Sequence, residues 1–347
     1  MNHRKSKERV TAMSAPALPL PAPDAPYALL REMAQAPALI AGFDPATFHD
    51  WHQTAAHTGQ IFITGEGSSR IFPAKNMTQL ASRHQGAWSV TTQGARQAME
   101  MDLRGRMIVG LSNSGRTREL IAFCKQQHHP VYGITATPGS PLAAVTAPCA
   151  VLSCGSEDAI AATKSVIEQA LIVQALLGAE AFDGQQEAAA QARAILAQDI
   201  PSGMAQTLAQ AQTVYVAGRN DGVAEEIALK SCEITRLKSF YLEGTYVLHG
   251  IEEVMRADEV VVLIEPYEQE IERYQKVLRD GVGLQVLAIA SFDTPFATFR
   301  IPASKNFGGY LQLMAGWRLL AAAGVLRGID LDKTVRARKV GNAVDSA

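Results

Sequence analysis

Two short segments of this sequence place several hydroxyl side chains directly after apolar runs. "TGEGSSR" (64–70) follows "QIFI", and "LSNSGRT" (111–117) follows "RMIVG". A helical pattern follows each segment. Because the amino end of a helix has free N–H groups and a partial positive charge, and hydroxyls add further donors, both segments suit an anion such as phosphate. The ordinary alternative is a serine that only caps the helix.

A second group of reactive residues lies in "AEEIALKSCEI" (224–234). Glu226, Lys230 and Glu233 are spaced so that they share one face of a helix. Such a stripe is usually a solvated set of salt bridges. Here the intervening apolar residues indicate a buried helix, so the charged face is expected to line a cleft, where a carboxylate beside a lysine can move protons. Cys232 points away from Glu233 and is expected in the core.

The elements that must position these residues alternate along the chain. The first half has apolar runs at 60–64, 87–92, 106–112, 131–135 and 149–153, with helical patterns near 69–84, 116–127 and 159–177. Strands that alternate with helices predict an α/β fold with parallel sheets. Ligands of such sheets bind at the carboxyl ends of the strands, where both hydroxyl segments lie.

The second half repeats this plan, with predicted strands at 213–218, 260–266 and 284–290 and a closing helix at 307–326. Gly218 follows Gly65 by 153 residues, and Leu263 follows Leu111 by 152. Two matches at nearly one offset indicate an internal duplication. The second copy has Glu265 where the first has its hydroxyls. The fold therefore does not require those hydroxyls, and a ligand explains them better.

Bulk properties exclude several classes of protein. The 347 residues carry a formal net charge of -2, and the four cysteines are scattered. We therefore expect no nucleic-acid partner and no metal site. No apolar run approaches the ~20 residues of a membrane span, and a signal peptide is not apparent, which favours a cytoplasmic protein. "GEGSSR" lacks the third glycine of a dinucleotide-binding loop, so we expect no cofactor.

These motifs together resemble the double sugar-isomerase (SIS) domain family. The resemblance rests on "TGEGSSR", "LSNSGRT", "EDAIAATKS" and "EIALKSCE…LHG" and covers about residues 25 to 345. The family includes the isomerase half of glucosamine-6-phosphate synthase, amino-sugar-phosphate deaminases and fructosamine-6-phosphate deglycases. It implies two flavodoxin-like three-layer α/β/α domains. We expect an arm at 1–25, a first domain at 26–195, a second at 196–330 and a C-terminal tail at 331–347 that closes on the site.

The resemblance also implies a set of site residues. The phosphate and sugar would be held by residues of the first domain: Ser68, Ser69, Ser112, Asn113, Ser114, Thr117 and Thr163. The catalytic base would be Glu233, accompanied by Lys230, and His249 would open the sugar ring. Lys339 would contact the open sugar. The family usually forms homodimers in which the loop of His249 reaches into the neighbour's site.

The implied reaction is a Glu-mediated proton transfer between C1 and C2 of a hexose 6-phosphate or its amine derivative. No glutaminase domain is apparent, so three reactions stay open: aldose–ketose isomerisation, deamination of an amino sugar phosphate, and deglycation. The alternative is a regulatory protein that binds a sugar phosphate without catalysis. Such a sensor would need the hydroxyls but neither Glu233 nor His249, so the presence of both favours an enzyme.

Overall fold

The computed structural model describes residues 18–83 and 88–337, and these ranges contain two sheets of five parallel strands each. The first sheet consists of β1 (Gln60–Gly65), β2 (Ser89–Gly94), β3 (Met107–Leu111), β4 (Val131–Thr135) and β5 (Cys149–Val151). The second consists of β6 (Thr213–Gly218), β7 (Lys238–Glu243), β8 (Val260–Ile264), β9 (Gln285–Ala290) and β10 (Ala297–Arg300).

Helices cover both sheets. Those before or within the first domain are α1 (Ala28–Met33), α2 (Ala36–Gly42), α3 (His49–Thr58), α4 (Ile71–Arg83), α5 (Ala95–Ala98), α6 (Arg118–Gln126), α7 (Pro141–Val145) and α8 (Lys164–Gln174). The others are α9 (Gln185–Ala197), α10 (Met204–Gln210), α11 (Val223–Ile234), α12 (Ile271–Tyr274), which continues in π-helical turns to Val282, and α13 (Gly308–Leu326). None of these described helices is long and apolar enough to cross a membrane.

The two sheets share one strand order. The first runs β2-β1-β3-β4-β5, and the second runs β7-β6-β8-β9-β10 when read from β7. This is the order of flavodoxin-like folds, and it confirms the predicted fold class of two parallel α/β domains. Gly65 ends β1 and Gly218 ends β6. The repeat in the sequence thus corresponds to a repeat in topology.

Several elements differ from the prediction, among them the start of one helix and two strands. The helix expected from residue 159 begins at Lys164, because the preceding loop bonds its N–H groups to the carboxylates of Glu32 and Glu157 and not to its own carbonyls. The sequence did not predict β7 or β10. Both are edge strands with exposed polar residues, so neither forms the continuous apolar run that marks a strand buried on both faces.

One large core holds the two domains together. It includes Phe72 and Met77 of α4, Ile227 of α11 and Trp317 of α13, all fully or nearly fully buried. At the edge of this contact, Lys75 on α4 pairs with Glu225 on α11. Helices α4 and α11 therefore pack against each other between the two sheets. The predicted boundary near residue 195 falls near the end of α9, which is followed by α10. The domain limits stay a prediction.

Candidate functional site

The two hydroxyl segments lie side by side at the carboxyl edge of the first sheet. Strands β1 and β3 are neighbours, and Gly65 is paired with Leu111 in their register. The chain leaves β1 into a 3₁₀ turn, Gly67–Ser69, and leaves β3 into the 112–117 loop. The strand order reverses between β1 and β3, and ligands of such sheets bind at this switch point.

Hydrogen bonds inside the 112–117 loop fix its shape. The Ser112 hydroxyl is buried, bonds Thr117 Oγ1 at 2.8 Å and accepts from the N–H of Gly115 at 3.1 Å. Ser114 Oγ accepts from the N–H of Arg116 at 3.2 Å. No side chain caps α6 at Thr117. The hydroxyls thus do not serve as helix caps, and those of Ser114 and Thr117 remain half-exposed at the amino end of α6.

Gly115 gives a prediction about this loop. Its φ is +63°, and a Cβ there would overlap Ser140 Oγ and lie 2.7 Å from Thr135 Oγ1. Gly115→Ala should therefore lower the free energy of unfolding by at least ~2 kcal/mol. Gly139→Ala is the matched control, since its φ is +66° but nothing lies within 4 Å of the added carbon; its cost should be about 1 kcal/mol. Equal losses in urea unfolding would contradict the close approach at Gly115.

A buried carboxylate connects the loop before α8 to the hydroxyl loop. Glu157 accepts from the N–H of Thr163 at 2.7 Å, from the Ser165 hydroxyl at 2.5 Å and from Asn113 Nδ2 at 3.3 Å. Thr163 is fully buried. The structure thus brings Asn113 and Thr163 together around one carboxylate. The sequence did not single out Glu157, because a lone acidic residue in a loop has no spacing that indicates its partners.

The charged residues of α11 meet the first domain at Ser68. Lys230 is fully buried and donates to Ser68 Oγ at 2.8 Å and to Glu233 Oε2 at 2.7 Å. Glu226, also fully buried, lies 3.3 Å from Lys230 Nζ. The Glu233 side chain keeps 27 % of its surface exposed. These side chains form one cluster across the domain boundary, in which Glu226 and Lys230 are buried and Glu233 and Ser68 keep part of their surface exposed. Ser69 is half-buried on the same turn as Ser68.

Burial and charge act against each other in this cluster. Burial raises the pKa of Glu226, and Lys230 and Ser68 only partly offset the rise. Burial lowers the pKa of Lys230, but Glu226 and Glu233 outweigh it, and the pKa of this lysine is raised overall. Glu157 adds to this effect, so its carboxylate also lies near the ammonium. Lys230 is therefore held as a cation beside Glu233.

Glu226 gives a prediction about pH and stability. Its folded-state pKa is raised above 4.5, so ionising it costs free energy in the folded protein, and this cost appears as the pH rises from below 4.5 through the folded pKa. Glu226→Gln does not titrate. Relative to the wild type, we expect this variant to become more stable as the pH rises from 4 to 8, measured by urea unfolding at each pH. A relative stability that moves the other way would contradict the raised pKa.

His249 does not meet Glu233 within one chain. Ile234, next to Glu233, packs in the main core on one face of the second sheet. Val247 and Leu248, just before His249, pack in a separate cluster on the opposite face. Successive residues of β6 belong alternately to these two clusters, as expected for the two faces of a sheet. The exposed His249 is thus separated from Glu233 by the sheet.

Other predicted features have mixed outcomes. Lys339 lies outside the described residues. The described part of the tail runs past α1, where Asp332 accepts from the N–H of Ala28 at 2.7 Å, and past the end of α11, where Arg236 donates to Lys333 O. Cys232 is exposed, so its placement in the core was wrong. In residues 18–83 and 88–337, no group of three or more His, Cys, Asp or Glu side chains is arranged to hold a metal ion.

Comparisons with known proteins agree with this architecture. Residues 56–179 match the SIS domain family. The curated proteins give no sequence match. Among solved structures, the C-terminal domain of glucosamine-fructose-6-phosphate aminotransferase from Francisella tularensis is similar with a TM-score of 0.74 at 15% identity, covering 89% of this chain and 98% of that one.

Two further solved structures have the same two-domain fold. Tagatose-6-phosphate ketose/aldose isomerase from Escherichia coli gives a TM-score of 0.75 at 17% identity and covers 89% of this chain and 96% of its own. Glucosamine-6-phosphate deaminase from Thermotoga maritima gives 0.60 at 18% identity and covers 90% and 98%. These findings confirm the resemblance: residues 56–179 match the SIS domain family, and the chain as a whole shares the fold of these solved structures.

Proposed function

We propose that this chain is a sugar-phosphate enzyme in which Glu233 moves a proton between C1 and C2 of an open-chain hexose 6-phosphate or its amine derivative. The observation that carries the proposal is the contact of Lys230 with both Glu233 and Ser68. Through it, an accessible carboxylate and a fixed cation lie against the loop region suited to a phosphate. Similar folds that act on sugar phosphates, by their names, support the same substrate class.

The geometry suits an aldose–ketose proton transfer. The phosphate would lie at the amino end of α6, against Ser114 and Thr117. Asn113 and Thr163, joined through Glu157, would fix the part of the loop that faces the sugar. Glu233 would take the proton from the carbon beside the carbonyl and return it to the neighbouring carbon. The intermediate enediolate is an anion, and the Lys230 ammonium is held in place to stabilise it.

The position of His249 favours a homodimer. Because the second sheet separates His249 from Glu233, only the His249 of a second copy could open the sugar ring at this site. Three large apolar side chains within about ten residues of His249 are exposed: Phe240 by 52%, Tyr246 by 61% and Val254 by 64%. Exposed apolar patches of this kind are typical of protein interfaces. We propose that this surface forms the dimer contact and brings His249 to the neighbour's Glu233, with Lys339 closing the site.

A sugar-phosphate sensor is the second candidate. The separation of His249 from Glu233 favours it if the protein is monomeric, because one chain then lacks the ring-opening group. A sensor would still use Ser114 and Thr117 to hold a phosphate. Sedimentation of the purified chain together with turnover distinguishes the two functions.

A substrate panel tests the enzyme directly. We expect turnover of at least one among a hexose 6-phosphate, a hexosamine 6-phosphate and a fructosamine 6-phosphate, followed as ketose–aldose exchange, ammonia release or amine release. Which of the three products forms identifies the reaction. Binding without turnover of any panel member would favour the sensor.

The phosphate loop has its own test. Ser112→Ala with Ser114→Ala should weaken binding of the phosphosugar by ~10-fold or more, because each hydroxyl supplies or positions a donor to a charged group. Calorimetric titration measures the affinity, and thermal unfolding of the variant checks that the domain still folds. An unchanged affinity would refute the phosphate site.

A further inference from the structure

A second cavity lies at the switch point of the second domain. It has a volume of about 410 Å³ and lies where β6 and β8 end, between Arg219 and Glu265. Helix α4 of the first domain forms one wall, and the amino end of α13 forms another. The cavity thus occupies in the second domain the place that the hydroxyl loops occupy in the first, and its size is that of a small-ligand site.

An unpartnered amide in the cavity wall indicates a missing ligand. Asn76 on α4 is only 5% exposed, and its Nδ2 has no hydrogen-bond partner among the described residues. Leaving such a donor buried and unpaired destabilises the unliganded protein. Asn76 faces the start of α13, since a Cβ on Gly309 would lie 2.9 Å from its Oδ1. A bound acceptor that reached Nδ2 would pair this donor.

The remaining groups around the cavity favour an anion. The Glu265 carboxylate already accepts from the N–H of Ser291 at 2.9 Å and from its hydroxyl. Arg219 is fixed by its bond to Glu265 O and by stacking 4.4 Å from the Tyr267 ring. Burial raises the pKa of Asp221, although Arg219 and Arg83 oppose the rise, so burial disfavours the negative charge of this carboxyl group.

Arg83 and Lys305 add two exposed cations at the rim. Helix α13 is 19 residues long, begins with Gly308 and Gly309 and has no side-chain cap. Its amino end therefore presents free N–H groups and positive charge to the cavity.

We propose that this cavity is a second ligand site that takes a small phosphorylated molecule, with the phosphate at the amino end of α13 and Asn76 as an added donor. The proposal does not rest on the reaction assigned to Glu233. The walls of the cavity come from both domains, so a ligand bound there joins α4 to the second domain. Ser68 lies just before α4, and α11 begins just after Asp221 and carries Lys230. The two helices that form the first site thus also border the second.

Calorimetric titration of the full chain with inorganic phosphate tests the proposal. We expect two binding events in the wild type. Gly308→Asp should abolish or weaken one of them by ~10-fold or more, because its carboxylate would lie close to the phosphate. The added side chain has room, since the nearest atom to a Cβ on Gly308 is 3.9 Å away. An acidic residue also suits the first turn of a helix, so the variant should fold.

Two further variants separate binding from folding. Asn76→Leu should weaken the same event without lowering the thermal stability of the unliganded protein, since its Nδ2 has no partner to lose. Lys305→Gln should weaken it several-fold. Wild-type affinity and stoichiometry in Gly308→Asp would overturn the proposal, and so would tighter binding of malonate than of phosphate at the affected site.

The outcome is independent of the first site. The double variant Ser112→Ala, Ser114→Ala should lose the other event and keep the one sensitive to Gly308→Asp. If only that sensitive event occurs in the wild type, the second site stands and the phosphate assignment of the first loop fails. A single event that the double variant removes would overturn the second site instead.

Discussion

Replacing Glu233 by glutamine should lower kcat by about 10²- to 10⁴-fold, the usual contribution of a positioned general base. Glutamine has nearly the same shape but cannot accept a proton. The affinity for the sugar phosphate should change little, because the proposed phosphate site lies in loops of the first domain and not on α11. Turnover of the best panel substrate and calorimetric binding of the same compound measure the two effects.

Glu225→Gln is the matched control for this prediction. Glu225 lies on the same helix and forms an ion pair with Lys75, away from Lys230. Its loss should cost at most about 1 kcal/mol of stability and leave kcat unchanged. Full activity in Glu233→Gln, or an equal loss of activity in both variants, would show that Glu233 is not the base.

Two inactive variants should restore activity when they share a dimer. If the site combines Glu233 of one chain with His249 of the other, a heterodimer of Glu233→Gln and His249→Ala has both changes in one site and none in the other. With equal amounts and random pairing, about half of the dimers are mixed, so activity should return to about a quarter of the wild-type value. Assay of the unseparated mixture measures this, and the heterodimer purified by two different tags, which has one intact site of two, should have about half of the wild-type activity.

The controls for complementation are the two homodimers, which should each stay inactive. A heterodimer that also stays inactive would mean that each site takes Glu233 and His249 from the same chain, against the separation by the second sheet. Full activity of the His249→Ala homodimer would remove this histidine from the mechanism. A monomeric wild type with turnover would overturn the shared site as well.

Much of the fold could be predicted because its signals are local. Each central strand is a short apolar run, and each is followed by a helical pattern. The edge strands β7 and β10 gave no such signal, since their residues are partly solvated. The start of α8 was missed for a different reason. Glu32 and Glu157 hold the preceding loop, and one of them is more than a hundred residues distant in sequence.

The sequence by itself determined which residues are able to do chemistry. The hydroxyl segments follow strands, and Glu226, Lys230 and Glu233 share a helical face because of their spacing. The spacing did not distinguish a solvated stripe from a buried cluster. The packing of α11 against α4, α13 and the second sheet decided this, by removing Glu226 and Lys230 from water and leaving Glu233 partly exposed.

The tertiary structure alone decided how these residues combine. It brought Ser68 to Lys230 across 162 residues and put His249 on the far face of the second sheet. The physical reason is that contacts between distant segments depend on how the sheets and helices pack, and residue spacing along the chain carries no record of that packing. The same packing created the cavity at α13, where Asn76 has no hydrogen-bond partner for its Nδ2 among the described residues.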